Sequence, residues 1–222
     1  MPVDPVILRR IPVFSALGPE DLTHVAAMAL ERTFQRGESV ILEGDRAGPL
    51  YYVREGLIKI FKTSPEGKEQ VLRLIGPGNT FNEVPALDGG PNPASAAAMQ
   101  PSVVYAVGSA ELRRLIVERP DVAMGAVRTL AAALRHLVAL VEDLSFRHVT
   151  ARVAKILLDQ EAAANGPAHG GRRLTQQEMA AMAGTAREMV GRALKELEAA
   201  GAIELRQGHV VVTDTERLRL LV

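Results

Sequence analysis

The sequence predicts an α+β chain in three parts. An N-terminal antiparallel sandwich, jelly roll or barrel leads into a long helix suited to self-pairing, and a winged helix-turn-helix closes the chain. Three observations carry this. Short β-rich runs alternate with turn residues from Thr33 to Val107. Apolar residues then recur at alternating steps of three and four through Val127, Leu130, Leu134, Leu137, Val141 and Leu144. Two short helical stretches joined by a Gly-containing turn follow, ahead of a hairpin pattern. The boundaries fall at 1–119, 120–145 and 146–222.

Bulk composition narrows the function classes. The 222 residues are 47% hydrophobic and 23% charged, which is globular composition. No stretch of about 18 apolar residues is free of charge, so no membrane partner is expected. The opening MPVDPVILRRIPVFSALGPEDL does not look like a secretory signal, so the expected location is cytoplasmic. Cys is absent, which excludes disulfides, thiolate zinc sites and cysteine-ligated iron–sulfur clusters. Net charge is zero, but residues 1–146 carry 15 basic and 17 acidic groups and residues 147–222 carry 11 and 9. The small excess gathers as Arg172, Arg173, Arg187, Arg192 and Lys195 against Glu178 and Glu188, as a phosphate-contacting surface requires.

Taken in order, Phe14 to Leu17 leads into a helix with Leu22, Val25, Ala26, Ala29 and Leu30 on one face. Strands follow at Val40–Leu42, Leu50–Val53, Leu57–Lys62, Val71–Ile75 and Val103–Val107, separated by Gly- and Pro-containing turns. Gly78 to Ser95 is read as a long connection stiffened by three prolines and carrying the isolated acid Glu83. Such a loop would line a pocket; the alternative is an ordinary connection with Glu83 solvated. In the helix from Pro120 to Leu144, Ala131, Ala132, Ala133 and Ala139 leave room for a second helix. The simplest reading is a two-stranded dimerisation helix, and the alternative is a helix packed on its own domain.

Ser145 to Ala164 is expected to continue as helix up to Asn165-Gly166-Pro167. Thr175 and Glu178 have capping-box spacing and start a helix that buries Met179 and Met182. After the turn Ala183-Gly184-Thr185, a second helix from about Ala186 to Ala200 has two faces. Val190, Ala193, Leu194 and Leu197 lie on one; Glu188, Gly191, Arg192 and Lys195 lie on the other, with Arg187 at its start. Such a helix suits a major groove, since Arg donates two hydrogen bonds to guanine and Glu accepts from cytosine. Gly191 costs roughly 1 kcal/mol relative to Ala, which close approach of DNA or another helix would offset. Two bland alternatives stand beside this reading: a solvated Glu188–Arg192 pair, or Thr185 and Glu188 as a second capping box. Ala202–Leu205 and Val210–Thr213 flank Arg206-Gln207-Gly208-His209, a hairpin wing whose Arg206 and His209 could touch phosphate.

The chain now resembles the CRP/FNR family, the bacterial regulators typified by the cyclic AMP receptor protein. The resemblance covers nearly the whole length and rests on the EGD and YYVREGLIKIF runs, the Glu83 loop, the long helix and TQQEMAAMAGTAREMVGRALKELEAAGAI. It implies a cyclic-nucleotide-binding-like β-roll, a homodimer, and double-stranded DNA and RNA polymerase as partners. The family's R-E-x-x-G-R maps to Arg187, Glu188, Gly191 and Arg192, which implies TGTGA-like half-sites; Gln177 and Thr175 match positions that touch the DNA backbone.

The sensor half departs from the cyclic AMP pattern. Glu83 remains, but Asn82 replaces the Gly before it, and Pro93 and Ala94 stand where the phosphate-binding Arg-Ser pair would be. Proline offers neither a guanidinium nor an N–H. Leu137 and Val138 occupy the Thr-Ser positions that would face adenine. Cyclic AMP is therefore not expected in its usual mode, and Ser95 or Arg73 are the groups left to compensate. Haem would call on His136 with Pro2 or His24, whereas a bulky apolar ligand, or none, fits Leu137, Val138 and Pro93 better.

Other classes fare worse. A barrel acting through protein contacts alone, haem-bound or not, would keep its function without Arg187 and Arg192. An enzyme is not expected, because Thr33 to Val107 contains neither His nor Cys.

Overall fold

The computed structural model describes residues 3–164, 173–206 and 209–222. Pro2, Arg172, Gln207, Gly208 and residues 165–171, where a loop is expected from the sequence, lie outside the described residues. The elements run α1 (Pro5–Leu8), α2 (Pro19–Met28), β1 (Leu30–Phe34), β2 (Ser39–Ile41), β3 (Leu50–Glu55), β4 (Ile58–Thr63), β5 (Glu69–Ile75) and β6 (Thr80–Phe81). Next come α3 (Glu83–Asp88), β7 (Ser95–Ala98), β8 (Ser102–Val107), α4 (Ser109–Glu118) and α5 (Pro120–Phe146). The chain finishes with α6 (Val149–Ala164), α7 (Gln176–Ala183), α8 (Arg187–Ala199), β9 (Ile203–Arg206), β10 (His209–Val212) and α9 (Thr215–Leu220). These form two compact units: Met1–Lys62 with Arg73–His136, and Thr63–Leu72 with Leu137–Val222.

In the first unit two four-stranded sheets, β1-β8-β3-β6 and β2-β7-β4-β5, enclose an apolar interior. Phe34, Tyr51, Val53, Phe81 and Val104 reach it from one sheet, and Ile41, Ile58, Ile75, Ala96 and Ala98 from the other. Strand β3 is buried on both faces. Tyr51 and Val53 point into that interior, while Leu50 and Tyr52 join a second core under the helices with Phe14, Leu22, Leu112 and Val122. The two-residue alternation of a strand lets one segment serve both cores.

Several expectations are corrected. Leu30 is not helical: α2 stops at Met28, and Leu30 pairs with Ala106 as the first residue of β1. The Gly78–Ser95 connection contains β6 and α3, which are too short to leave a periodic signal. Helix α4, with Leu112 and Leu115 inward, lies where the sequence reading placed no element. The long helix does not run on into the next one, because the chain breaks at Arg147–His148. There the freed Arg147 carbonyl accepts from Arg152 Nη1 at 2.6 Å, and Arg152 Nε also donates to the Ala183 carbonyl at 2.8 Å.

Only Val122, Gly125 and Ala126 of α5 are buried, all near its start. Val127, Leu134, Leu137, Val141 and Leu144 are exposed in the single chain, Leu134 and Val141 at 63%, and Leu130 is half-buried. The alternative of a helix packed along its length on its own domain is thus not met. An 18-residue window of α5 reaches a mean hydropathy of 1.4, long and apolar enough to cross a membrane by length and composition alone, although every such window carries Arg135 and none is free of charge. Its exposed apolar residues keep the alternating three- and four-residue spacing of a coiled-coil seam, with Arg128, Arg135 and Glu142 set between them.

Candidate nucleic-acid interface

The second unit builds its exposed helix from the capping box upward. Thr175 Oγ1 accepts from the Glu178 N–H at 3.2 Å, and a Glu178 carboxylate oxygen accepts from the Thr175 N–H at 2.8 Å. The Thr175 hydroxyl hydrogen is left to donate outward. Gly184, at φ 62°, ends α7 in the left-handed conformation and turns the chain into α8. Val190, Ala193, Leu194 and Leu197 then bury against Val153, Leu157, Met179, Ile203 and Leu218. This fixes the rotation of α8 and leaves Arg187, Glu188, Arg192 and Lys195 exposed.

Among the described residues, none of these four side chains has a hydrogen bond or ion-pair partner. The Glu188–Arg192 pair does not form, and neither does the second capping box: Ala186 is the N-cap residue of α8, with no side-chain cap. A Cβ on Gly191 would meet nothing within 4 Å, so no neighbouring helix of this chain accounts for the glycine.

Beside α8 lies a groove of ≈ 920 Å³ with an apolar floor of Leu157, Leu174, Met179, Val210 and Val212. Its rim brings Arg173, Thr175, Gln177, Arg187 and His209 together, but not Glu188, Arg192, Lys195 or Arg206. Arg206 is committed to Glu204 at 2.6 Å, which holds that carboxyl below its usual range, so Arg206 would have to exchange this partner to reach a phosphate. Arg173 and His209 thus join the rim directly.

The expected pocket loop is also visible. Asn82 sits at φ 69°, in the left-handed region where Gly is easiest and Asn next, which explains the Gly-to-Asn exchange. Its amide donates to the Pro49 carbonyl at 2.9 Å. Glu83 is not solvated: it is 8% exposed and accepts from the buried Thr80 hydroxyl at 2.6 Å. Ser95 Oγ accepts from the Glu43 N–H at 3.0 Å, and Ala94 is half-buried. Leu137 and Val138 belong to the other unit.

Two residues of this region escaped the sequence reading. Asn92, 5% exposed, ties the loop to the Leu42 carbonyl at 3.2 Å and the Asp45 carbonyl at 2.9 Å. Lys62 donates to Glu43 and, at 3.3 Å, to the Pro93 carbonyl. The signal for Lys62 was the two-residue period through Ile58 and Ile60. Of the candidate haem ligands, His24 has its Nε2 2.8 Å from Arg114 and 3.3 Å from Glu111.

Two family models match the chain, the cyclic nucleotide-binding domain over residues 31–119 and the Crp-like helix-turn-helix domain over residues 151–221. A CRP-like cAMP-activated global transcriptional regulator of Mycobacterium tuberculosis is 34% identical over 96% of each chain. The chain belongs to the CRP/FNR family. Another relative, the cyclic AMP receptor protein of Thermus thermophilus, is 33% identical over 95% of this chain and 96% of its own. A putative CRP/FNR regulator from Eubacterium rectale shares the fold, with a TM-score of 0.81 at 17% identity over 96% of this chain and 98% of its own. CRP/FNR members are DNA-binding transcription regulators rather than enzymes, and this chain is a regulator of that kind with a helix-turn-helix DNA-binding domain.

Proposed function

We propose that the protein works in the cytoplasm as a homodimer that reads a palindrome with TGTGA-like half-sites and acts on transcription with RNA polymerase as partner. The carrying observation is the outer face of α8, where Arg187, Glu188, Arg192 and Lys195 are exposed and uncommitted on a helix fixed by its buried face. Arg187 and Arg192 would take guanine edges and Glu188 a cytosine amino group. Thr175, Gln177, Arg173 and His209 would meet phosphates and set the register. Pairing through α5 would set two such helices roughly 34 Å apart, one turn of DNA.

The effector is not cyclic AMP in its usual mode, because Pro93 and Ala94 lack the charge and donors that a cyclic phosphate needs. Fluorescence anisotropy of the ligand-free protein against a TGTGA-N6-TCACA duplex and a scrambled one, at fixed salt, tests the reading. Preference for the palindrome supports it. Equal binding to both by the wild type, unchanged in an Arg187→Ala, Arg192→Ala double variant, would overturn the DNA-reading assignment.

A further inference from the structure

Helices α5 and α6 meet at the break Arg147–His148, and the apolar cluster of the unit that carries α8 begins beyond it, at Val149, and includes no described residue of α5. Leu144 does touch the α7–α8 turn, where a Cβ on Gly184 would come within 2.7 Å of its Cδ2. Polar ties complete the joint. Asp143, in the last turn of α5, pairs with Arg147 Nε at 2.7 Å and accepts from Lys155 Nζ of α6. Arg147 Nη1 donates onward to the Val222 carbonyl, and Arg152 Nη1 returns from α6 to the Arg147 carbonyl. All of these residues lie in the same compact unit as α8. An acid in the last turn of a helix opposes the helix dipole, so the two cations account for Asp143 where helix preference does not. Its side chain is 14% exposed, which shields both pairs from solvent and salt better than an ordinary surface bridge.

Arg187, Glu188 and Arg192 can read both half-sites only if two α8 helices stand at the matching distance, and no side chain of α8 sets that distance. The joint sets it, because the seam residues Leu137, Val141 and Leu144 lie on one side of it and α8 on the other. We propose that Asp143, bridging Arg147 and Lys155, is a positioning residue that fixes the spacing of the paired α8 helices and with it the half-site spacing that the dimer accepts. One added base pair shifts a half-site by about 3.4 Å and turns it by about 35° around the DNA axis. A clamped joint cannot follow that step, whereas a joint without its ion pairs bends part of the way. The inference rests on the homodimer and palindrome proposed above.

Anisotropy of the full chain against TGTGA/TCACA duplexes with N5, N6 and N7 spacers, and against a single half-site, tests it, with Glu142→Gln on the same turn as control. The wild type and Glu142→Gln should favour one spacer over its neighbours by about tenfold. Asp143→Asn and Lys155→Met should narrow that preference to about threefold or less, with single-half-site binding unchanged because the buried face of α8 is untouched. A second readout needs no DNA. The sequence has no Cys, so Ala199→Cys puts one spin label per chain at an exposed position of α8. The label–label distance distribution, measured by pulsed electron resonance, should be narrow in this background and in Glu142→Gln, and should broaden with Asp143→Asn. An unchanged spacer profile or an unchanged label width in Asp143→Asn would overturn the proposal. Equal weakening on every duplex, half-site included, would do the same, since that marks a general loss of structure. A wild type without a label–label distance would sink the homodimer and the clamp together. If the wild type does not tell the half-site from a scrambled duplex, the DNA reading has failed, and the label width alone decides the clamp.

Discussion

At the scale of single residues, the same substitution has opposite signs in two helices. A Cβ on Gly125 would sit 2.7 Å from the Pro12 carbonyl oxygen and 2.9 Å from Val13 Cα, both backbone atoms that cannot rotate away. Gly125→Ala should therefore destabilise the protein by about 1–3 kcal/mol, despite alanine's better helix propensity. Gly191 faces open space, so Gly191→Ala should stabilise by about 1 kcal/mol. If DNA approaches the backbone there, the same change should weaken palindrome binding, and melting curves beside anisotropy would register both effects. The carboxylate of Asp21 is held below its usual range chiefly by Arg119, which donates from Nε and Nη2 at 3.0 Å each. A depressed pKa means stability present above the unfolded value and lost as pH falls through the folded one. The gap between wild type and Arg119→Gln should therefore be open at neutral pH and close in acid, as pH-dependent urea unfolding would record.

Among the elements, those legible in the sequence were mostly the ones whose apolar period had room to repeat, although α4, ten residues long with Leu112 and Leu115 inward, was missed. Helix α8 announced its boundaries and faces through Val190, Ala193, Leu194 and Leu197, and α7 through Thr175 and Glu178. Short elements did not: β6 has two residues and α3 six, and the Asn82 conformation that joins them carries no pattern. Nor could spacing decide whether Glu188 was free, capped or paired. That required the N-cap of α8 to fall on Ala186, which leaves Thr185 without a capping role. The cap that does form should be measurable. Thr175→Ala should cost about 1 kcal/mol of stability and also weaken DNA binding, whereas Thr175→Ser should keep most of both; denaturant melts and anisotropy of the two variants would tell.

For the whole molecule, net charge was the least informative number. It is zero, and α8 itself carries three basic and three acidic residues, yet Arg187, Arg192 and Lys195 stand exposed on its outer face with Glu188 as the acid among them. Assembly was legible only in outline, because the α5 seam reads alike whether it meets another helix or the chain's own core. The exposure of Leu134 and Val141 shows that the chain's own core does not cover them. Leu134→Asp with Val141→Asp should give a folded monomer that binds a single half-site weakly and loses preference for the palindrome. Sedimentation equilibrium with anisotropy would check it, and a variant that stays dimeric would move the interface elsewhere. The tight seat of Gly125 has a further, mechanical consequence. Phe146 is 21 residues beyond it on the same helix, a lever arm of about 31 Å at 1.5 Å per residue. One degree of tilt at the fulcrum swings the far end by about 0.5 Å, comparable to the whole spread of good N–H···O distances. A pivot of α5 by a degree or two at Gly125 thus displaces Phe146 on the scale at which a single hydrogen bond is made or lost.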